Sequence, residues 1–208
     1  PARESVFWVF VALSLSFLSC NILARFFPNR ATRGLYLFAT MWLGTTHFLF
    51  LTSVLLSLLV SFSVSFNRAF PASVALVFYV GALILNLYTL WRGTRVEKRI
   101  LSLTLPHLPE TWVGKKIAFF ADTHFGNIHR EFMARQVVEI LKAEDPDLIL
   151  MGGDFFDGPP LEADRVTAPF RSLTERIPTY FISGNHEEYG NTKEFLRSLE
   201  QSGFRIIN

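Results

Sequence analysis

Three long stretches without a charged residue constrain this chain more than any other feature. They cover residues 5–24, 34–67 and 69–91 and contain 20, 34 and 23 residues. A helix that crosses a bilayer needs about 20 mostly apolar residues, so each stretch holds one span. A cleaved signal peptide is the alternative for the first stretch, but its apolar run exceeds the roughly 7–15 residues of a signal core. We predict three transmembrane helices, over about 5–26, 36–60 and 71–91.

The basic residues of the short loops predict how these helices are oriented. Seven lie on one side, after the first and third spans: Arg25, Arg30, Arg33, Arg92, Arg95, Lys98 and Arg99. Only Arg3 and Arg68 lie on the other side. Because cytoplasmic loops carry the excess of Lys and Arg, the C-terminal part of this multi-pass cell-membrane protein is predicted to lie in the cytoplasm.

Charge is distributed unevenly along the chain. Residues 1–91 contain five basic residues and one acidic residue, whereas residues 92–208 contain fifteen basic and seventeen acidic residues. Neither part has the contiguous basic patch of a nucleic-acid-binding protein, so no nucleic acid is expected among the partners. The single cysteine, Cys20, excludes an intrachain disulfide framework.

Beyond residue 91, the membrane domain of residues 1–91 gives way to alternating strand and helix patterns. Residues 92–114 are predicted to be a linker that includes a first strand, at 96–105. Later strands are predicted at 116–121, 147–151 and 179–183, with a helix at 130–144 and a helical stretch at 161–176, interrupted at Pro169, between them. The strand at 147–151 is apolar enough for burial on both faces. This alternation predicts an α/β domain with a parallel sheet over residues 115–208.

A polar cluster follows each of the last three predicted strands. The clusters read Asp-Thr-His at 122–124, Gly-Asp-Phe-Phe-Asp at 153–157 and Gly-Asn-His-Glu at 184–187. Ligands of parallel sheets bind beyond the carboxyl ends of the strands, where these clusters fall. Mixed Asp, Asn and His ligands suit Mn, Fe or Zn better than calcium. One such cluster alone is weak support for a site, but the three together predict a metal centre.

The order D-x-H, G-D-x-x-D, G-N-H-E resembles the calcineurin-like metallophosphoesterase superfamily, and the apolar spans resemble its membrane-anchored bacterial branch. The resemblance covers about residues 96–208 and implies an α/β sandwich. It also implies further histidines after the third motif, a single one and then a G-H-x-H. Because the chain ends at Asn208 before either, we expect it to hold a truncated form of the domain and part of each metal shell.

The resemblance implies a centre of two divalent metal ions. Asp122 and His124 would bind the first ion, Asp154 would bridge the two, and Asn185 would bind the second. His186 would be a catalytic residue that binds no metal and either protonates the leaving oxygen or stabilises the charge of the phosphorane, with Asp157 orienting it. Gly158 stands where the protein Ser/Thr phosphatase branch has a phosphate-binding arginine, which weakens a protein-phosphatase interpretation.

Four residues near the motifs have less certain roles. His129 and Arg130 could contact a substrate phosphate, or could be the polar first turn of the following helix, which we favour. Glu187 and Glu188 are expected to shape their loop or to face water rather than to bind metal.

The function predicted from these features is metal-dependent hydrolysis of a phosphoester, diester or monoester, at a membrane. A lipid-linked phosphoester is one candidate substrate. The alternative is a non-catalytic membrane interaction or sensing module that retains the fold. Intact motifs argue against that alternative, and the acidic domain and the anchor argue against a nuclease.

Overall fold

The computed structural model describes residues 2–66, 68–126, 128–157, 163–189 and 192–207. The chain forms two compact units, residues 1–94 and residues 95–208. Gly158, where the phosphate-binding arginine of one branch would stand, lies outside the described residues.

The first unit consists of three helices: α1 (Ala2–Phe26), α2 (Arg30–Ser65) and α3 (Ala72–Arg92). All three are long and apolar enough to cross a membrane. The helix α1 packs against α2, and α2 packs against α3. Each predicted span coincides with one of these helices.

Helix α2 begins earlier than the span predicted at 36–60. The side chain of Asn29 accepts hydrogen bonds from the backbone N–H groups of Ala31 and Thr32, at 2.9 and 3.0 Å. The hydroxyl of Thr32 accepts one in return from the Asn29 N–H, at 3.1 Å. This capping box starts the helix before its apolar part. A boundary placed by hydropathy alone misses that start, because Arg30 and Arg33 are charged.

Two polar contacts join α2 to α3. Asn86, a buried residue of α3, donates a hydrogen bond from Nδ2 to Thr45 Oγ1 at 2.8 Å. Two turns further along α2, the hydroxyls of Ser53 and Tyr79 lie 2.9 Å apart. Interhelical hydrogen bonds of this kind help to hold apolar helices in register, since lipid offers these side chains no alternative partner.

The second unit contains a four-stranded parallel sheet. Its strands are β1 (Ile117–Phe120), β2 (Leu148–Met151), β3 (Thr179–Phe181) and β4 (Arg205–Ile206), and they neighbour one another in chain order. The predicted α/β class with a parallel sheet is confirmed. Since every strand runs the same way, the loops that follow them leave from one edge of the sheet.

Helices connect the strands. They are α4 (Glu131–Glu144), α5 (Ala163–Thr167), α6 (Arg171–Thr174), α7 (Asn185–Tyr189) and α8 (Thr192–Gln201). The interruption predicted at Pro169 in the helical stretch 161–176 is a 3-10 turn at Ala168–Phe170, with Pro169 in its first positions. Proline lacks the N–H that a continuing α-helix needs. Residues 161 and 162 lie outside the described chain.

The core lies on one face of the sheet. Ile149, Met151 and Phe181 of that face are at most 1% exposed. They belong to one cluster with the buried side of α4 and with five phenylalanines from the loops and short helices. These are Phe125, Phe155, Phe156, Phe170 and Phe204. Their rings meet mostly edge to face, which is the favoured geometry of aromatic packing.

The opposite face of the sheet is more exposed than the sequence predicted. Strand β2 was predicted to be buried on both faces, yet Leu148 and Leu150 are only half-buried, and Phe119 of β1 is 68% exposed. The described helices cover one face, and an apolar sequence does not show whether anything covers the other.

The strand predicted at 96–105 is also wrong, because this segment pairs with no strand of the described chain.

Charged contacts fix the start of the sheet. Asp147 accepts hydrogen bonds from Lys115 Nζ at 2.7 Å and from the Lys116 backbone N–H at 2.9 Å. The hydrogen bond from Lys115 holds the pKa of Asp147 below its usual value, and the Lys116 N–H contributes in the same direction. The beginnings of β1 and β2 are thereby aligned, which also aligns the loops at their other ends.

Candidate metal centre

The loops after β1 and β2 run side by side through backbone hydrogen bonds. The N–H of Asp122 donates to Gly153 O at 3.1 Å, and the N–H of His124 donates to Asp154 O at 3.0 Å. Asp122, His124 and Asp154 have φ angles of 53°, 47° and 51°. This left-handed conformation is strained for residues other than glycine and is concentrated at functional sites. These three of the four predicted ligands are therefore held in place by their surroundings.

Three side chains converge at this edge of the sheet. Single ligand atoms of His124, Asp154 and His186 all lie within 4.8 Å of one another. The imidazoles of His124 and His186 meet edge to face with their centroids 4.5 Å apart. One carboxylate and two imidazoles form a donor set that suits divalent transition metals. The residues present therefore fit a metal ion.

The other two predicted ligands lie at the margin of this group. Asp122 Oδ1 is 4.0 Å from His124 Nε2, and the Asp122 side chain is 72% exposed. Asn185 is the first residue of α7 and is exposed. It lies between Gly184 and His186, both of which contact Asp154. The assignment of individual residues to a first or second metal ion stays a prediction.

His186 is held by a carboxylate. Its Nδ1 lies 3.3 Å from Asp157 Oδ1, the arrangement expected if Asp157 orients the imidazole. A partner on one ring nitrogen fixes the tautomer and thereby the role of the other nitrogen. Because His186 also belongs to the converging group, the geometry is compatible with a proton donor and with a ligand.

Glycines allow the loops that carry the three motifs to approach one another closely. A Cβ atom on Gly184 would lie 2.1 Å from Asp154 Oδ1. A Cβ atom on Gly126 would lie 2.2 Å from the backbone oxygen of Asp157. Both distances are far inside van der Waals contact, so a side chain at either position would push apart the loops that bring the ligands together.

Glu187 makes contacts that the sequence could not distinguish from those of its neighbour Glu188. Its side chain is fully buried, and its carboxylate accepts four backbone N–H hydrogen bonds. The donors are Asp154, Phe155, Phe156 and Gly184. The adjacent Glu188 is exposed. The sequence predicted that these glutamates shape the loop or face water. Glu187 shapes the loop, and Glu188 faces water.

His129 lies just before helix α4 rather than in its first turn. Helix α4 begins at Glu131, and the N–H of Gly126 donates to His129 O at 2.7 Å, which folds the chain back toward the first motif. Burial lowers the pKa of His129, the nearby His124 lowers it further, and Asp157 opposes both. His129 therefore lies near His124 and Asp157, and its contact with a substrate phosphate stays the alternative prediction.

Histidine and aspartate side chains on the loops after parallel strands make this edge of the sheet a candidate metal centre. Residues 115–206 match the calcineurin-like phosphoesterase family. This matched part of the second unit thus corresponds to a calcineurin-like phosphoesterase domain. The resemblance in the three motifs is confirmed, and the family binds divalent metals.

Curated relatives come from bacteria and animals. An uncharacterised metallophosphoesterase of Aquifex aeolicus is 29% identical over 92 residues, which are 44% of this chain and 35% of that protein. A transmembrane protein with a metallophosphoesterase domain from Danio rerio is 24% identical over 127 residues, 60% of this chain and 29% of that protein. A protein of the same description from Bos taurus is 30% identical over 82 residues, 39% of this chain and 18% of that protein.

The chain spans about a third of the length of the first two of these relatives. The names of the animal relatives, together with the three apolar helices, indicate membrane association. No solved structure matches the chain significantly.

Proposed function

We propose that the complete protein hydrolyses a phosphoester with two divalent metal ions, Mn, Fe or Zn, bound at the ends of β1, β2 and β3. The observation that carries this proposal is the convergence of His124, Asp154 and His186 inside a metallophosphoesterase domain. When bound, two divalent ions supply the positive charge that activates water and neutralises the phosphoryl oxygens during in-line displacement.

The residues of the chain divide the remaining work. Asp122 and His124 would hold one ion and Asn185 the other, and the Asp154 carboxylate would be the ligand that both ions share. His186 donates a proton to the leaving oxygen, and Asp157 keeps its imidazole in the required tautomer from a distance of 3.3 Å.

The substrate is a phosphoester that is reached from the membrane surface, with a lipid-linked ester as the leading candidate and no role for nucleic acid. The three apolar helices support this proposal because they would keep the domain beside the bilayer. A phosphoester in or derived from the membrane would then meet the site at a high local concentration.

The test is turnover by the complete, metal-loaded protein. With Mn, we expect hydrolysis of an aryl phosphodiester or an aryl phosphomonoester, and the ratio of the two rates assigns the ester class. A chelator should abolish turnover, and added Mn should restore it. If the protein binds metal and hydrolyses neither ester nor a phospholipid headgroup ester, the non-catalytic membrane module replaces this proposal.

Membrane topology provides a separate prediction. A reporter that is active only outside the cytoplasm should be inactive when it is fused after Lys116, because the distribution of basic residues predicts a cytoplasmic second unit. The matched control is the same reporter fused after Arg68, in the connection between α2 and α3, where it should be active. The opposite pair of results would reverse the proposed orientation.

A further inference from the structure

The carboxylate of Glu187 joins two of the three motif loops. Its Oε1 accepts hydrogen bonds from the N–H groups of Phe155 and Phe156, at 2.8 and 3.1 Å. Its Oε2 accepts from Asp154 at 3.0 Å and from Gly184 at 2.7 Å. A carboxylate offers about four acceptor positions, so these donors fill them. Burial of a charged group is costly unless it is hydrogen-bonded, and here all four of these donors are backbone N–H groups of the loops.

Asp154 makes the reciprocal contact. Its Oδ1 accepts a hydrogen bond from the backbone N–H of His186 at 3.0 Å. The acid of the third motif therefore holds the backbone of the second motif, and the acid of the second motif holds the backbone of the third. The link between the two loops is built from two carboxylates and five backbone N–H groups.

This link acts at a residue with a left-handed backbone conformation. Asp154 has a φ of 51°, a conformation that persists only where surrounding contacts determine it. The N–H of Asp154 is one of the four that Glu187 binds, and the next two residues provide two more. Without these bonds, the segment would be free to relax toward ordinary φ values and to turn the Asp154 carboxylate away from His124 and His186.

We propose that Glu187 is a positioning residue of the metal centre, which presets the Asp154 carboxylate for metal before any ion binds. This inference rests on the proposed function in one respect, the role of Asp154 as a ligand. Glu187 itself binds no metal, because the four backbone N–H groups already occupy its oxygens. Replacing outer partners of metal ligands typically lowers metal affinity about 10- to 100-fold, and we expect a loss of that size here.

The experiment compares Glu187→Gln with the wild type in the complete protein. Glutamine keeps the shape of the side chain, but it replaces one acceptor oxygen with an N–H₂ group that faces backbone donors. Mn titration followed by electron paramagnetic resonance, well below the unfolding temperature of each protein, should show affinity reduced by about 10- to 100-fold. The matched control is Glu188→Gln, on the same helix but exposed, which should bind Mn like the wild type.

Amide hydrogen exchange in the metal-free protein measures the preset conformation itself. The N–H groups of Asp154, Phe155, Phe156 and Gly184 should exchange slowly in the wild type and in Glu188→Gln. They should exchange faster in Glu187→Gln, while the amides of β2 and β3 stay protected. A purely structural role predicts a different result, namely a lower unfolding temperature with unchanged Mn affinity in the folded state.

Wild-type Mn affinity in folded Glu187→Gln would overturn the proposal. If Glu187→Gln does not fold, Glu187→Asp decides instead, because it keeps the charge and withdraws the carboxylate by one methylene; folded Glu187→Asp with wild-type affinity would also overturn it. The proposed hydrolysis fails by a different result, a wild-type protein that binds Mn without turnover. A wild-type protein that binds no Mn would refute both.

Discussion

Replacing Asp154 with asparagine should remove bound metal and activity together. In the proposed centre, its carboxylate contacts both ions, and the amide of asparagine carries no charge with which to hold them. Loss of an outer partner alone typically costs about 10- to 100-fold in metal affinity or activity, so loss of the bridging ligand should cost more than about 100-fold. The measurement is metal content per chain by elemental analysis, together with the hydrolysis rate in Mn.

The hydrogen bond from His186 N to Asp154 Oδ1 makes this variant informative, because an asparagine oxygen can still accept it. The loops should therefore stay together, and the unfolding temperature should change little. Asp164→Asn is the matched control, since Asp164 is exposed on α5 and lies outside the converging group. An Asp154→Asn protein that keeps a full complement of metal would exclude the bridging role.

The ligand loops could be predicted from the sequence because two independent patterns coincide there. Short apolar runs predict buried strands, and each run ends directly before a group of Asp, His or Asn side chains. Strands β1, β2 and β3 lie within the predicted ranges, and their parallel order brings the loops to one edge. A local pattern is enough to predict these loops, because the candidate ligand residues follow each strand immediately in the sequence.

Contacts between distant segments could not be predicted in this way. The pattern of residues 96–105 is compatible with a strand, but a strand exists only where another strand pairs with it. Similarly, the apolar residues of β2 show that both faces tolerate burial, whereas the described helices cover one. Both failures concern partners of the segment rather than the segment itself.

Glu187 and Glu188 show the same limit at the scale of one residue. They are chemically identical and adjacent, so composition and motif spacing cannot separate them. The short helix α7, Asn185–Tyr189, points one inward and the other outward. Only the structure shows that Glu187 accepts hydrogen bonds from four backbone N–H groups of two loops, which is the observation behind its proposed positioning role.

Replacing His186 with alanine should lower the rate while metal stays bound. His186 is proposed as the proton donor, and general acid catalysis is typically worth about 10²- to 10⁴-fold. The loss should be largest for an alkyl ester, whose leaving oxygen needs the proton most, and smaller for an activated aryl ester. The Asp157 carboxylate 3.3 Å from His186 Nδ1 supports this role, because it fixes the tautomer of the imidazole.

The position of His186 also allows a competing role, that of a metal ligand. A ligand atom of His186 lies within 4.8 Å of ligand atoms of His124 and Asp154, so a metal-binding role predicts that His186→Ala loses metal. It also predicts equal losses on both substrates, since an empty site fails regardless of the leaving group. Metal content and the two rates, measured on one preparation, separate the roles. Equal losses, or a site emptied of metal, would assign His186 to the metal shell and leave the proton donor to be found elsewhere.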